Sequence, residues 1–197
     1  MRPGLFDGTN NDLPWFHVTE YGKAVLNGLP QTPYDPDNYL KRLQADIQSL
    51  DPIIVTYLTE ALHTFRIGCL LSSTVMLGCA SEKAFQLLLE AYATALPQAQ
   101  QEKFNKEIQN KLIKRQFDEF NKRLESHLKV RLPGDIKADL DVALTGVFSM
   151  IRNMRNDAGH PTGLRLAREV VYANLTVFPT YLKKVYSLID WLQMNSL

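Results

Sequence analysis

The chain has 197 residues and a mass of 22.4 kDa, with 45 % hydrophobic residues, 22 % charged residues and a formal net charge of +1. That size and balance suit one folded domain with at most a short appendage, and they exclude intrinsic disorder, fibrous repeats and a polybasic or polyacidic tail. Two cysteines, Cys69 and Cys79, make no disulfide scaffold and no metal knuckle, so a reducing, cytoplasmic setting is the expectation.

Charge is unevenly spread. Residues 1–60 carry four basic side chains against eight acidic ones, whereas residues 103–132 carry nine basic against four acidic. The basic stretch reads either as a solvated helix face or as a surface for a polyanion. The N-terminal segment MRPGLFDGTNND has no apolar leader core. The longest apolar stretch, residues 67–80, is interrupted by Gly68, Ser72, Ser73, Thr74 and Gly78, so no membrane span is expected.

Residues 1–35 are rich in turn formers and read as an irregular N-terminal arm or the remnant of a preceding module, with a short strand at Trp15–Val18 and a short helix at Thr19–Leu26. From Asp35 to residue 197 the pattern is helical. Asp35-Pro36 and Asp51-Pro52 each place an N-cap carboxylate before a proline at the first helical position. Tyr39, Leu43 and Ile47 form the first apolar stripe, and Ile54, Leu58, Leu62 and Phe65 the second. Cys69 to Leu96 is apolar nearly all round in its first half, which predicts the most buried helix, stopped by Pro97.

A fourth helix is expected over Gln98 to Val130, with Phe104, Ile108, Leu112, Phe117, Phe120 and Leu124 inward. Leu132-Pro133-Gly134 breaks it, and Asp135 caps a fifth that ends near Gly159, because Gly159 suits a C′ position and Pro161 cannot continue a helix. A last helix begins after Gly163, kinked or split by Pro179. No convincing period-2 alternation follows residue 35. The fold expected is therefore all-α: an antiparallel bundle of four to six helices over 36–197.

Phosphate-binding loops, zinc-protease motifs and nucleophile elbows are absent. His17, His63, His127 and His160 are far apart, and no metal or cofactor site is indicated; the two cysteines read as small core residues. One segment concentrates polar chemistry, residues 151–161, IRNMRNDAGHP. In an unbroken helix Arg155 and His160 would sit about 140° apart. Gly159 lets the helix stop, and Pro161 biases His160 toward extended backbone. The imidazole is thereby freed to turn back toward the guanidinium. Such a pair can exchange protons near neutral pH while holding an anionic phosphoryl group.

Arg155-Asn156-Asp157-Ala158-Gly159-His160 resembles the R-x4–6-H motif of the HEPN superfamily, including the polar residue after the arginine. The stretch EALHTFRIG followed by CLLSSTVMLGCASEKAFQLL is similar to the long early helices of those domains, so the likeness covers roughly residues 36–195. The resemblance implies a metal-independent endoribonuclease of a bacterial toxin or antiviral-defence type. Its Arg and His would line a cleft shared by two copies, with RNA as substrate and an antitoxin or defence-system protein as a possible partner. His160 would be the general acid or base, Arg155 would stabilise the charged transition state, and Asn156 would orient phosphate or imidazole. The other reading is a non-catalytic HEPN module for dimerisation and RNA or nucleotide binding.

Supporting roles follow from placement. Arg152 is either a second phosphate contact or a surface ion-pair partner. Glu82 falls on the stripe Val75, Gly78, Phe85, Leu89; buried there it needs a cationic partner, Arg152 or Arg155, and otherwise it lies at a helix edge in water. Lys114 and Arg115, with the other cations of the basic stretch, are candidates for guiding RNA.

Overall fold

The computed structural model describes residues 32–161, 163 and 165–197. The strand and helix expected within 15–26 lie outside the described residues. The chain builds α1 (Pro36–Asp46), α2 (Pro52–Arg66), α3 (Leu70–Ala95), α4 (Gln98–Ile108), α5 (Ile113–Arg123), a single turn α6 (Gly134–Lys137), α7 (Phe148–Gly159) and α8 (Arg168–Met194). The described residues contain no strand, so the fold is an all-α bundle.

The two Asp-Pro starts work by capping. Asp35 Oδ1 accepts the Asn38 backbone N–H at 3.2 Å, and Asp51 Oδ1 accepts that of Ile53 at 2.7 Å. Each such cap satisfies an orphan donor and stabilises its helix by about 1 kcal/mol. Gly68, at φ +84°, makes the left-handed turn that folds α3 back along α2.

At 26 residues, α3 is about 39 Å long and forms the axis of the bundle. It packs against α2, α7 and α8. Directions follow from paired contacts. Phe85 meets Phe148 while Gly78 meets Arg155, so α7 runs opposite to α3. Tyr181 donates its hydroxyl to Ser81 O, and Leu197 donates its N–H to Ala95 O, so α8 runs parallel to α3. An aromatic cluster ties α5 and α7 to this axis. Phe85 lies 5.3 Å from Phe117 and 5.0 Å from Phe148, and Phe117 stacks on Phe148 at 4.7 Å.

Four features differ from the sequence expectation. The helix expected across 98–130 is two helices, because Asn110 adopts φ 58° and ends α4 in a left-handed turn that Asn tolerates. Asp139, at φ 56°, likewise breaks the expected fifth helix. It leaves only α6 and a π turn, Val142–Val147, ahead of α7, and Asp135 makes no side-chain cap. A second π turn, Leu124–Leu128, extends α5. The third feature is Pro179, which lies buried inside an unbroken α8. Proline removes the donor for the carbonyl four residues earlier, Leu175 O. That carbonyl instead accepts the buried Tyr39 hydroxyl at 2.6 Å, so the helix continues without an orphaned group. Cys79 is half-buried, but Cys69 is exposed at the α2–α3 corner rather than in the core.

Candidate functional site

The polar segment occupies the end of α7. Phe148, Ile151 and Arg155 are spaced three and four residues apart and share one helix face. Burial of Phe148 and Ile151 against α3 therefore carries Arg155 onto α3 as well. Its aliphatic stem crosses that helix at Gly78. A Cβ built on Gly78 would lie 2.3 Å from Arg155 Cγ and 2.5 Å from Arg155 Cβ. Only a residue without a side chain admits the arginine at this level.

The guanidinium emerges half-exposed, its side chain 35 % accessible. Nη2 faces Glu82 Oε2 at 3.4 Å, and Nη1 donates to Asn156 Oδ1 at 3.2 Å. Glu82 is 16 % accessible, and its second oxygen, Oε1, is buried without a hydrogen-bond partner. Two fixed acceptors thus aim the guanidinium and leave its remaining N–H groups toward solvent. Arg152 takes the other course open to it: its Nη2 donates to neighbouring Asn153 Oδ1 at 2.6 Å, and it does not reach Glu82.

α7 stops at Gly159, and His160 leaves it in an extended conformation (φ −100°, ψ 144°). The imidazole is exposed and makes no hydrogen bond to a described residue, Arg155 and Asn156 included. Asp157 is exposed and outside the Arg155 contacts. Lys114 and Arg115 stand exposed on the first turn of α5, with no side-chain hydrogen bond or ion pair to a described residue. The Phe117–Phe148 stack brings α5 to the start of α7, but no contact joins these two cations to Arg155. The structure therefore groups Arg155, Asn156 and Glu82. Arg152 and His160 lie nearby in the chain, and Lys114 and Arg115 lie apart.

Gly78 is the site residue that sequence reasoning passed over. Its signal was present: a lone glycine in a long helix, one turn before Glu82 on the same stripe, marks a close approach.

Among the described residues, no group of three or more His, Cys, Asp or Glu is arranged to hold a metal ion, and no helix is long and apolar enough to cross a membrane. No protein-family model matches the chain, and neither does any curated protein or solved structure.

Proposed function

We propose that this chain is a cytoplasmic endoribonuclease of the HEPN type, acting in a bacterial toxin or antiviral-defence setting. It cleaves RNA without a metal ion, in a cleft formed by two copies of the chain. The observation that carries the reading is the end of α7. Arg155 is held over Gly78 by Glu82 and Asn156, and five residues later His160 has left the helix with its imidazole uncommitted.

The chemistry needs little more. The RNA 2′-oxygen attacks the adjacent phosphorus, the P–O5′ bond breaks, and the products are a 2′,3′-cyclic phosphate and a 5′-hydroxyl end. A proton leaves the 2′-OH and another reaches O5′. An imidazole can accept or donate a proton and so can do either transfer, and a facing imidazole from the second copy divides the two tasks. Arg155 holds the non-bridging oxygens and offsets the charge that builds on phosphorus, while Asn156 keeps the guanidinium oriented. DNA lacks the nucleophile and is not a substrate.

A second reading, a non-catalytic module for dimerisation and RNA or nucleotide binding, draws on a specific observation. In one chain no hydrogen bond joins His160 to Arg155 or Asn156. Incubating the purified protein with total RNA in EDTA separates the two. The nuclease reading expects fragments with cyclic-phosphate ends, lost in Arg155→Ala and His160→Ala, from a protein that light scattering shows to be a dimer. RNA that is bound but left intact establishes the module instead, and fragments with 3′-hydroxyl ends refute the mechanism.

A further inference from the structure

A second polar concavity lies away from Arg155, where α5 passes the end of α3. Arg123, His127 and Arg131 are spaced four residues apart and line one wall of a pocket of about 240 Å³. Gln100 from α4 stands among the lining residues, and Leu96 and Leu128 supply its apolar part. The π turn Leu124–Leu128, closed by Lys129 N–H to Leu124 O at 2.8 Å, carries His127. Such widened turns are rare in helices and recur at functional sites.

The polar groups are not equally committed. Arg123 is a fixed strut. It pairs with Glu107, lies 3.5 Å from Glu119 and stacks over Phe104. Its Nη2 is therefore committed to Glu107, while its Nε is buried without a hydrogen-bond partner. Arg131 gives one N–H to Ser196 O at 2.8 Å and has no ion pair with a described residue, which leaves most of its guanidinium fork free. His127 is exposed, and neither its imidazole nor the Gln100 amide has a hydrogen-bond partner among the described residues. Two side chains without a partner among the described residues, His127 and Gln100, thus share one concavity and its apolar wall with a guanidinium that has given up a single N–H.

A guanidinium fork beside an imidazole matches a phosphate dianion, whose oxygens take several charge-assisted hydrogen bonds at once. The volume is below the roughly 300–1,000 Å³ usual for drug-sized ligands, so the pocket suits a single phosphate on a small organic body. We infer that the pocket lined by Gln100, His127 and Arg131 is a binding site for a small phosphomonoester. In it the phosphate sits on Arg131 and His127, and the body lies against Leu96 and Leu128 beside the Gln100 amide. The site is separate from the proposed catalytic one: Leu96 follows the end of α3, whose last residue, Ala95, is thirteen residues beyond Glu82, about 20 Å along the helix axis. The inference does not depend on the ribonuclease reading.

Titration of the full chain with AMP, followed by amide and imidazole NMR shifts and by calorimetry, tests it. AMP should saturate, with shifts at Gln100, His127, Leu128 and Arg131, inorganic phosphate should bind the same residues more weakly, and adenosine should not bind. Arg131→Ala and His127→Ala alter exposed side chains, so both variants fold, as circular dichroism will verify. Each should weaken AMP binding about tenfold or more, the scale of a lost charge-assisted hydrogen bond. The inference is overturned if neither AMP nor phosphate shifts these residues, if the shifts fall around Arg155–His160 instead, if adenosine binds as well as AMP, or if both variants bind like the parent.

Discussion

Replacing Gly78 by alanine tests directly whether Arg155 lies across α3. The added Cβ would meet Arg155 Cγ at 2.3 Å and Arg155 Cβ at 2.5 Å, whereas carbon atoms rest about 3.5–4.0 Å apart. Arg155 Cβ is fixed to the backbone of α7, so a rotamer change cannot relieve the overlap. The helix must withdraw by roughly 1 Å. Overpacking of this kind costs about 1–3 kcal/mol. Alanine returns about 1 kcal/mol through its better helix propensity. The net loss is therefore about 0–2 kcal/mol, a fall in Tm of up to roughly 8 °C for a chain of this length. Cleavage, if the ribonuclease reading holds, suffers more, because about 1 Å of misplacement can remove 10²-fold of rate. The decisive measurement is a double-mutant cycle on thermal unfolding. In an Arg155→Gly background no Cβ or Cγ remains to be met, so Gly78→Ala should raise Tm there while lowering it in the parent, a coupling of about 1–3 kcal/mol. An equal rise in both backgrounds would refute the placement of Arg155.

Two further outcomes follow from the same contacts. Glu82→Gln should change stability by less than about 1 kcal/mol, since the Arg155 pair is partly solvated, whereas Arg155→Ala leaves a largely buried carboxylate alone and should cost about 1–3 kcal/mol. Adding Glu82→Gln to Arg155→Ala should recover part of that loss in denaturant unfolding; strict additivity would show that the two side chains do not interact. Burial holds the Tyr39 and Tyr181 hydroxyls well above the usual tyrosine range. The native state thus favours their protonated forms, so their contribution is complete below about pH 10, the unfolded value, and is lost as pH rises beyond it. Tyr39→Phe should cost about 1–3 kcal/mol by orphaning Leu175 O beside Pro179, and it should flatten part of the alkaline loss; stability that stays level well above pH 10 in the parent would contradict this.

Much of the architecture was legible because it rests on local chemistry. Asp35-Pro36 and Asp51-Pro52 start helices where a carboxylate can cap and a proline gives up no needed donor. Leu96-Pro97 and Gly159-His160-Pro161 stop them for the converse reason. Glu82 could be read as needing a cation because a carboxylate on an apolar stripe is costly alone, and it faces Arg155. The misses are tertiary. Nothing near Asn110 or Asp139 marks a stop except a residue type that tolerates positive φ, and apolar spacing on either side still reads as continuous helix. Pro179 reads as a break until Tyr39, 136 positions away from the carbonyl it satisfies, is brought beside it.

The same tertiary control decides where the polar groups end up. A π turn inserts one extra residue, which rotates everything beyond it by about 100° relative to an uninterrupted helix. The turn Val142–Val147 does this immediately before α7. Phe148 and Ile151 then face the core, and Arg155, fixed to their face by its spacing, must cross α3. Without the inserted residue, this face of α7 would turn away from α3, and the burial of the two apolar side chains and the arginine's contact with Gly78 would be lost together. The aromatic packing of Phe148 against Phe85 and Phe117 thus fixes the rotational setting of α7. In doing so it sets the direction of the guanidinium seven residues on. Core packing and the candidate chemistry are therefore one constraint on α7, and a substitution at Phe148 should displace Arg155 without touching it.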